Sequence, residues 1–102
     1  MRNPAARGRA DSNQAEIVVQ YEELFCNVLD LSHVGFGCPD LAIACSGRME
    51  LVEVKTDAGN LNAAQRRFAE VWRGPKIVIA RTKADAINHA LNLRERVSRG
   101  RG

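Results

Sequence analysis

An α/β domain running helix, three strands, helix, strand, helix is the fold class the sequence predicts, and three observations carry it. Apolar residues recur at helical spacing at both ends of the chain, from Ile17 and from Ile87. Two strand-length apolar runs sit back to back around Ser46-Gly47. A compact apolar run at 76–80 follows the break at Gly74-Pro75. With 102 residues there is room for one domain with one small core.

Taken in order, NQAEIVVQYEELFCN places Ile17, Tyr21, Leu24, Phe25 and Val28 at helical spacing, with Asn13 as N-cap and Glu16 as its capping-box partner. VLDLS (28–32) reads as a short strand, followed by the loop HVGFGCP, which Pro39 stiffens and Gly35 and Gly37 loosen. Two apolar strands flank the Ser-Gly turn. NAAQRRFAEVW opens a second helix after Asn62, again with a capping-box pattern to Gln65, and should stop at Gly74-Pro75. KIVIA (76–80) is expected to be a strand buried on both faces. Thr82 then caps KADAINHALNLRERV, whose inner stripe is read as Ile87, Ala90, Leu91 and Val97.

Composition bounds the function classes. Hydrophobic content of 45% and charged content of 26% are ordinary for a soluble globular protein, and no apolar run approaches the roughly 20 residues of a membrane span. MRNPAARGRADS carries charge without an apolar segment after it, so it is not a secretory signal and a cytosolic protein is expected. Cys26, Cys38 and Cys45 form no CxxC pair and no zinc spacing, which leaves them as reduced thiols filling the core. The net charge is +3, with Arg2, Arg7 and Arg9 at one end and Arg94, Arg96, Arg99 and Arg101 at the other. Residues 1–10 and 98–102 are therefore expected to be basic flexible tails around a single domain at 11–97, suited to phosphate contact. His33 in its loop and His89 on its helix are both expected at the surface.

Each strand of the hairpin carries an acid where an apolar residue is expected. With Ser46-Gly47 as the turn, Cys45 faces Arg48 and, counting outward, Asp40 faces Glu53. Directly opposed residues on one face have Cβ atoms roughly 4.5 to 5.5 Å apart, so two carboxylates meet, which destabilises the hairpin unless a cation or a shared proton intervenes. Strand period sets Lys55 on the same face as Glu53, one pleat further. Metal-assisted phosphodiester hydrolysis wants this set: a hard cation such as Mg²⁺ takes Asp40 and Glu53, with the Val54 carbonyl able to add an oxygen, and Lys55 serves the water or the phosphorus. The bland alternative is a solvated edge strand with Asp40 as a cap.

PD at 39–40 followed by EVK at 53–55 resembles the PD-(D/E)xK nuclease signature. The wider pattern of NQAEI, LSHVGFGCPDLAI, LVEVK and LNAAQ, roughly residues 11–85, resembles the small phage-type VRR-NUC group of that superfamily. The resemblance implies a restriction-endonuclease-like core with a mixed sheet flanked by helices, and Mg²⁺ or Mn²⁺ as cofactor. It makes Asp40 and Glu53 metal ligands and Lys55 the catalytic lysine. Glu16 matches the helix-one acid that completes the site through metal or water, and Gln65 the glutamine that follows ExK. Both residues also fit the third position of a capping box. The family often has an aliphatic residue before PD, where this chain has Cys38. The implied activity is a DNA endonuclease directed to branched structures such as four-way junctions or flaps, working as a homodimer in the cytoplasm of a bacterial host. The competing expectations are a non-catalytic phage DNA-binding or replication-accessory module, and a restriction-like nuclease of the same fold.

Overall fold

The computed structural model describes residues 4–56 and 59–101, with side chains for 13–56 and 59–95. The elements come in the expected order: α1 (Pro4–Glu23), β1 (Asn27–Asp30), β2 (Leu41–Cys45), β3 (Arg48–Val54), α2 (Ala63–Val71), β4 (Val78–Ala80) and α3 (Lys83–Arg101). One mixed sheet has the strand order β1-β2-β3-β4. Its first three strands are antiparallel and β4 runs parallel to β3, a pairing that needs a crossover, which α2 and its flanking loops supply.

The hairpin turn sets the register that matters. Ser46 and Gly47 have φ of 56° and 80°, the two positive values that a type I′ turn requires, and glycine adopts its share at no steric cost. Cys45 consequently pairs with Arg48 and Leu41 with Val52, so the next residues outward, Asp40 and Glu53, come opposite each other. Strand alternation places Leu41, Ile43 and Val52 on the face that α1 and α3 cover. There they join Ile17 and Tyr21 of α1 and Ala86, Ala90 and Leu93 of α3 in one core.

Several boundaries and faces differ from the expectation. Helix α1 starts at Pro4, a residue tolerated in a first turn, and so Asn13 lies in mid-helix and is not an N-cap. The helix ends in a Schellman arrangement, with Cys26 N–H donating to Tyr21 O and Phe25 N–H to Glu22 O. This leaves Phe25 at φ 66° and exposed, so it is not part of the inner stripe. Val28 belongs to β1. On α3 the inward residues are Ala86, His89, Ala90 and Leu93, Leu91 is exposed, and the side chain of Val97 lies outside the described residues. Strand β4 is shorter than 76–80 and has one neighbour, so Ile79 is exposed and burial on both faces does not hold. Helix α2 stops at Val71, ahead of Gly74-Pro75, because Trp72 turns extended and its indole N–H donates to Pro75 O at 3.0 Å.

The backbone of 4–10 is part of α1 and that of 98–101 part of α3. The side chains of Arg2, Arg7, Arg9, Arg96, Arg99 and Arg101 lie outside the described residues. The three cysteines are free thiols, with Cys26 and Cys45 buried as expected of core filler and Cys38 half-buried. Among the described residues no helix is long and apolar enough to cross a membrane.

Candidate active site

The C-terminal end of β3 carries the chemistry. Glu53, on the sheet face opposite Val52, is only 3% exposed. Asp40 stands one residue before β2, with its main chain held by Leu31 N–H donating to Asp40 O at 2.7 Å. Its carboxylate accepts the Val54 N–H at 2.9 Å, bridging the mouth of the hairpin. Lys55 N–H donates to Ala80 O at 3.1 Å, extending the ladder toward β4. Because successive backbone groups of a strand point to opposite edges, the Val54 carbonyl shares the Asp40 edge.

Three side chains gather around the Glu53 carboxylate. Lys55 Nζ lies 3.9 Å from Glu53 Oε2. Gln65 Nε2 donates to the same oxygen at 2.7 Å. At its other end Gln65 Oε1 accepts the Asn62 N–H, while Asn62 Oδ1 accepts the Gln65 N–H, both at 2.9 Å. The capping box and the site are therefore not alternatives for Gln65, since one amide serves the helix with its oxygen and the carboxylate with its nitrogen. The groups line a cleft of about 360 Å³ walled by Asn13, Gln14, Asp40, Glu53, Val54, Lys55, Thr56, Gly59 and Gln65.

Charge accounts for the protonation of the pair. Burial, and then the neighbouring Asp40 carboxylate, push the Glu53 carboxyl up from its ordinary 4.5 to about 8, against the lowering pull of Lys55. Glu53 is thus mostly protonated at neutral pH. Burial raises the Cys38 thiol as well, followed by the charges of Glu53 and Asp40, so Cys38 borders the acid pair.

Glu16 is not brought to this cleft. It is exposed, and the α1 wall is made by Asn13 and Gln14. The reason is helical phase: Ile17 and Tyr21 fix the inward face, Asn13 precedes Ile17 by four residues and shares that face, and Glu16 is rotated off it. Asn13 Nδ2 donates to Lys55 O at 3.1 Å, tying α1 to the end of β3. Among the described residues no cluster of three or more His, Cys, Asp or Glu side chains is placed to hold a metal, so Asp40 and Glu53 are the carboxylates this cleft offers.

Two features escaped the sequence reading. Arg81 Nη1 donates to Thr56 O at 2.7 Å and to Gly59 O at 2.6 Å, holding two residues of the cleft wall; Asp57 lies outside the described residues. His89 is the second, and its expected surface position is corrected. It is 6% exposed, with Nδ1 2.8 Å from the Tyr21 hydroxyl and Nε2 2.7 Å from Glu50 Oε1. Its place four residues before Leu93 on the inner face of α3, and that of Glu50 two before Val52 on β3, were the available signals. His33, by contrast, is exposed as expected. Glu50 and His89 also border a larger cleft of about 870 Å³ between α3 and the segment 75–79. There the buried acid is already matched by an internal base, whereas the smaller cleft holds the opposed acids.

No family model, curated protein or solved structure matches this chain.

Proposed function

We propose that the chain is a Mg²⁺- or Mn²⁺-dependent DNA endonuclease of the PD-(D/E)xK type, close to the VRR-NUC group. The observation that carries this reading is the convergence of Asp40 and Glu53 on one cleft edge, with Lys55 and Gln65 both directed at Glu53. A buried acid beside a second, half-buried one is unfavourable once ionised and becomes favourable with a cation between them. The donor set fits a hard divalent ion, which takes carboxylate and carbonyl oxygens together with waters and substrate phosphate. Asp40, Glu53 and the Val54 carbonyl would hold it, and when bound it supplies charge stabilisation at phosphorus and an acidified water.

The remaining work belongs to the chain. Lys55 keeps its ammonium beside Glu53, where it stabilises negative charge on the phosphoryl oxygens and orients the attacking water. Gln65 fixes the rotamer of Glu53, and Asn13 and Arg81 fix the backbone that follows it. A homodimer on branched DNA, in a bacterial cytoplasm, belongs to the same proposal. The sheet face opposite the core leaves Leu29 at 59%, Met49 at 55% and Ile79 at 36% exposure, an apolar surface that a second copy would cover.

The deciding experiment is a cleavage panel of single-stranded, duplex, flap and four-way substrates with Mg²⁺ or Mn²⁺, run beside Asp40→Asn, with light scattering for the oligomeric state. Metal-dependent nicking lost in Asp40→Asn is expected, fastest near branch points and from a dimer. Binding of all four substrates without cleavage would instead support a DNA-binding accessory module.

A further inference from the structure

Phe36 is 93% exposed. It sits between Gly35 and Gly37 in three successive left-handed residues with φ of 79°, 58° and 77°. Glycine takes that conformation freely, but a phenylalanine there costs about 1 kcal/mol or more, so the ring is held in water against both its hydrophobicity and its backbone preference. The loop is anchored beside the acid pair. Gly37 packs so tightly on the first turn of α2 that a Cβ would lie 2.2 Å from Ala64 O, and the next residue of that turn, Gln65, donates to Glu53. Phe36 is thus next in sequence to the contact that joins this loop to the first turn of α2, from which Gln65 reaches the cleft.

The same helix and the segment that follows it are cationic. Between Leu61 and Lys76 lie Arg66, Arg67, Arg73 and Lys76 against the single acid Glu70, a net charge of +3 that equals that of the whole chain. Helix α2 buries none of its residues, so these cations are not there to build a core. Among the described residues no carboxylate forms an ion pair with Arg67, Arg73 or Lys76. Arg66 and Arg67 lie side by side on α2, and Arg73 stands two residues past its end, where the chain has turned extended at Trp72.

We propose that Phe36 and this cationic stretch form a platform that leads an unpaired nucleic-acid strand to the cleft, with phosphates on Arg66, Arg67 and Arg73 and a base stacked on Phe36. A cationic track beside an exposed ring is the combination that single strands select, and in intact duplex the bases are already stacked on one another. The placement of the scissile phosphate rests on the nuclease reading; the binding itself does not.

Trp72, the chain's single tryptophan, stacks on Phe68 at 5.5 Å just beyond α2 and is a built-in reporter. The experiment is a titration of its emission, in EDTA, with a short single-stranded oligonucleotide and with blunt duplex, across a range of salt. The single strand is expected to bind at least tenfold tighter. Replacing Arg66, Arg67 and Arg73 by Gln should flatten the single-strand salt dependence by about 2.1 log units per decade, at about 0.7 per phosphate. Phe36→Gly should cost at least about fivefold in single-strand affinity, the low end of one base stack, while its left-handed position suits glycine, so melting stays unchanged or rises. Equal binding of both DNAs, or unchanged affinity in Phe36→Gly and an unchanged salt slope in the triple variant, would overturn the platform. Cleavage of the same oligonucleotide with Mn²⁺ is scored separately: binding that follows the platform variants without any cleavage sinks the nuclease reading alone, and cleavage with platform variants indistinguishable from wild type sinks the platform alone.

Discussion

Strand β3 carries two glutamates three residues apart, on opposite faces of the sheet, and both are almost wholly buried: Glu50 at 6% and Glu53 at 3% exposure. Glu50 meets a base, His89, which Tyr21 holds from the other side. Burial and nearby negative charges raise the Tyr21 phenol well above its usual range, so it stays protonated and the three groups close a satisfied network joining α1, β3 and α3. Glu53 meets Lys55 at 3.9 Å and the Gln65 amide at 2.7 Å, but also a second acid, Asp40. A buried carboxylate that the fold pairs with a base at hydrogen-bond distance is explained by structure alone. One that the fold sets beside a second acid, with Lys55 and Gln65 unable to offset burial and that neighbour, is where the proposed cation would enter, and that contrast separates the two regions more sharply than cleft size does.

The largest effect that tests the contrast is on chemistry. Asp40→Asn and Glu53→Gln should each lower nicking by about a thousandfold or more, the several kcal/mol that metal-ion catalysis supplies, while melting without metal above about pH 8, where Glu53 is ionised beside Asp40, stays at or above wild type because a like-charge contact is removed. Nicking at the wild-type rate by either variant would refute the metal-site reading. His89→Ala should do the reverse. It strands Glu50 without its base and costs about 3 kcal/mol of stability, a fall in melting temperature of the order of 10–20 °C, with nicking at low temperature preserved. Thermal unfolding and single-turnover cleavage on the same preparations check both.

Next in size is the response to pH and metal. The Glu53 carboxyl is raised to about 8 in the fold from an ordinary 4.5, so between those values the native state holds one more proton than the unfolded state. Stability of the metal-free protein should therefore be full below about pH 4.5 and decline as pH rises to about 8, a slope that Glu53→Gln removes. Mg²⁺ at one hundred times its Kd should restore about 2.7 kcal/mol at pH 8 in wild type and nothing in Asp40→Asn. Melting curves in EDTA and in Mg²⁺ at pH 5 and pH 8 measure all of this, and equal metal shifts in variant and wild type would mark nonspecific ion binding.

How much of this was legible in the chain depended on the range of the interaction. Local rules sufficed for the hairpin: Ser46-Gly47 sets the turn, the turn sets the register, and the register brings Asp40 to Glu53 by counting alone. They sufficed for the start of α2 too, since Asn62 and Gln65 are neighbours in sequence. Helix phase was harder. With Asn13 read as a cap, Glu16 became a site candidate; once α1 runs on to Pro4, the inward face set by Ile17 and Tyr21 turns Asn13 toward the cleft and Glu16 toward solvent. His89 was only partly legible: its phase with Leu93 on α3 signals an inner face, but its partners are 68 and 39 residues away, and what satisfies it there is known only from the tertiary structure. Arg81 was missed for the same reason, as it acts on loop carbonyls 22 and 25 residues distant.

The smallest effect worth measuring separates the two duties of Gln65. Asn62→Ala removes the side-chain acceptor for Gln65 N–H and should cost about 1 kcal/mol, the usual value of an N-cap, with nicking reduced severalfold at most because Gln65 keeps its own side chain. Gln65→Ala loses the reciprocal cap and the donor to Glu53 together, so its stability loss should be similar and its loss of nicking clearly larger. Gln65→Glu retains an oxygen for the Asn62 N–H but sets a third carboxylate against Glu53, so nicking should fall further and demand more metal. Melting temperatures and Mg²⁺ titrations of the three proteins decide the matter. If Asn62→Ala reduces nicking as much as Gln65→Ala, the amide matters only for starting α2, and the Glu53 pocket has lost its positioning residue.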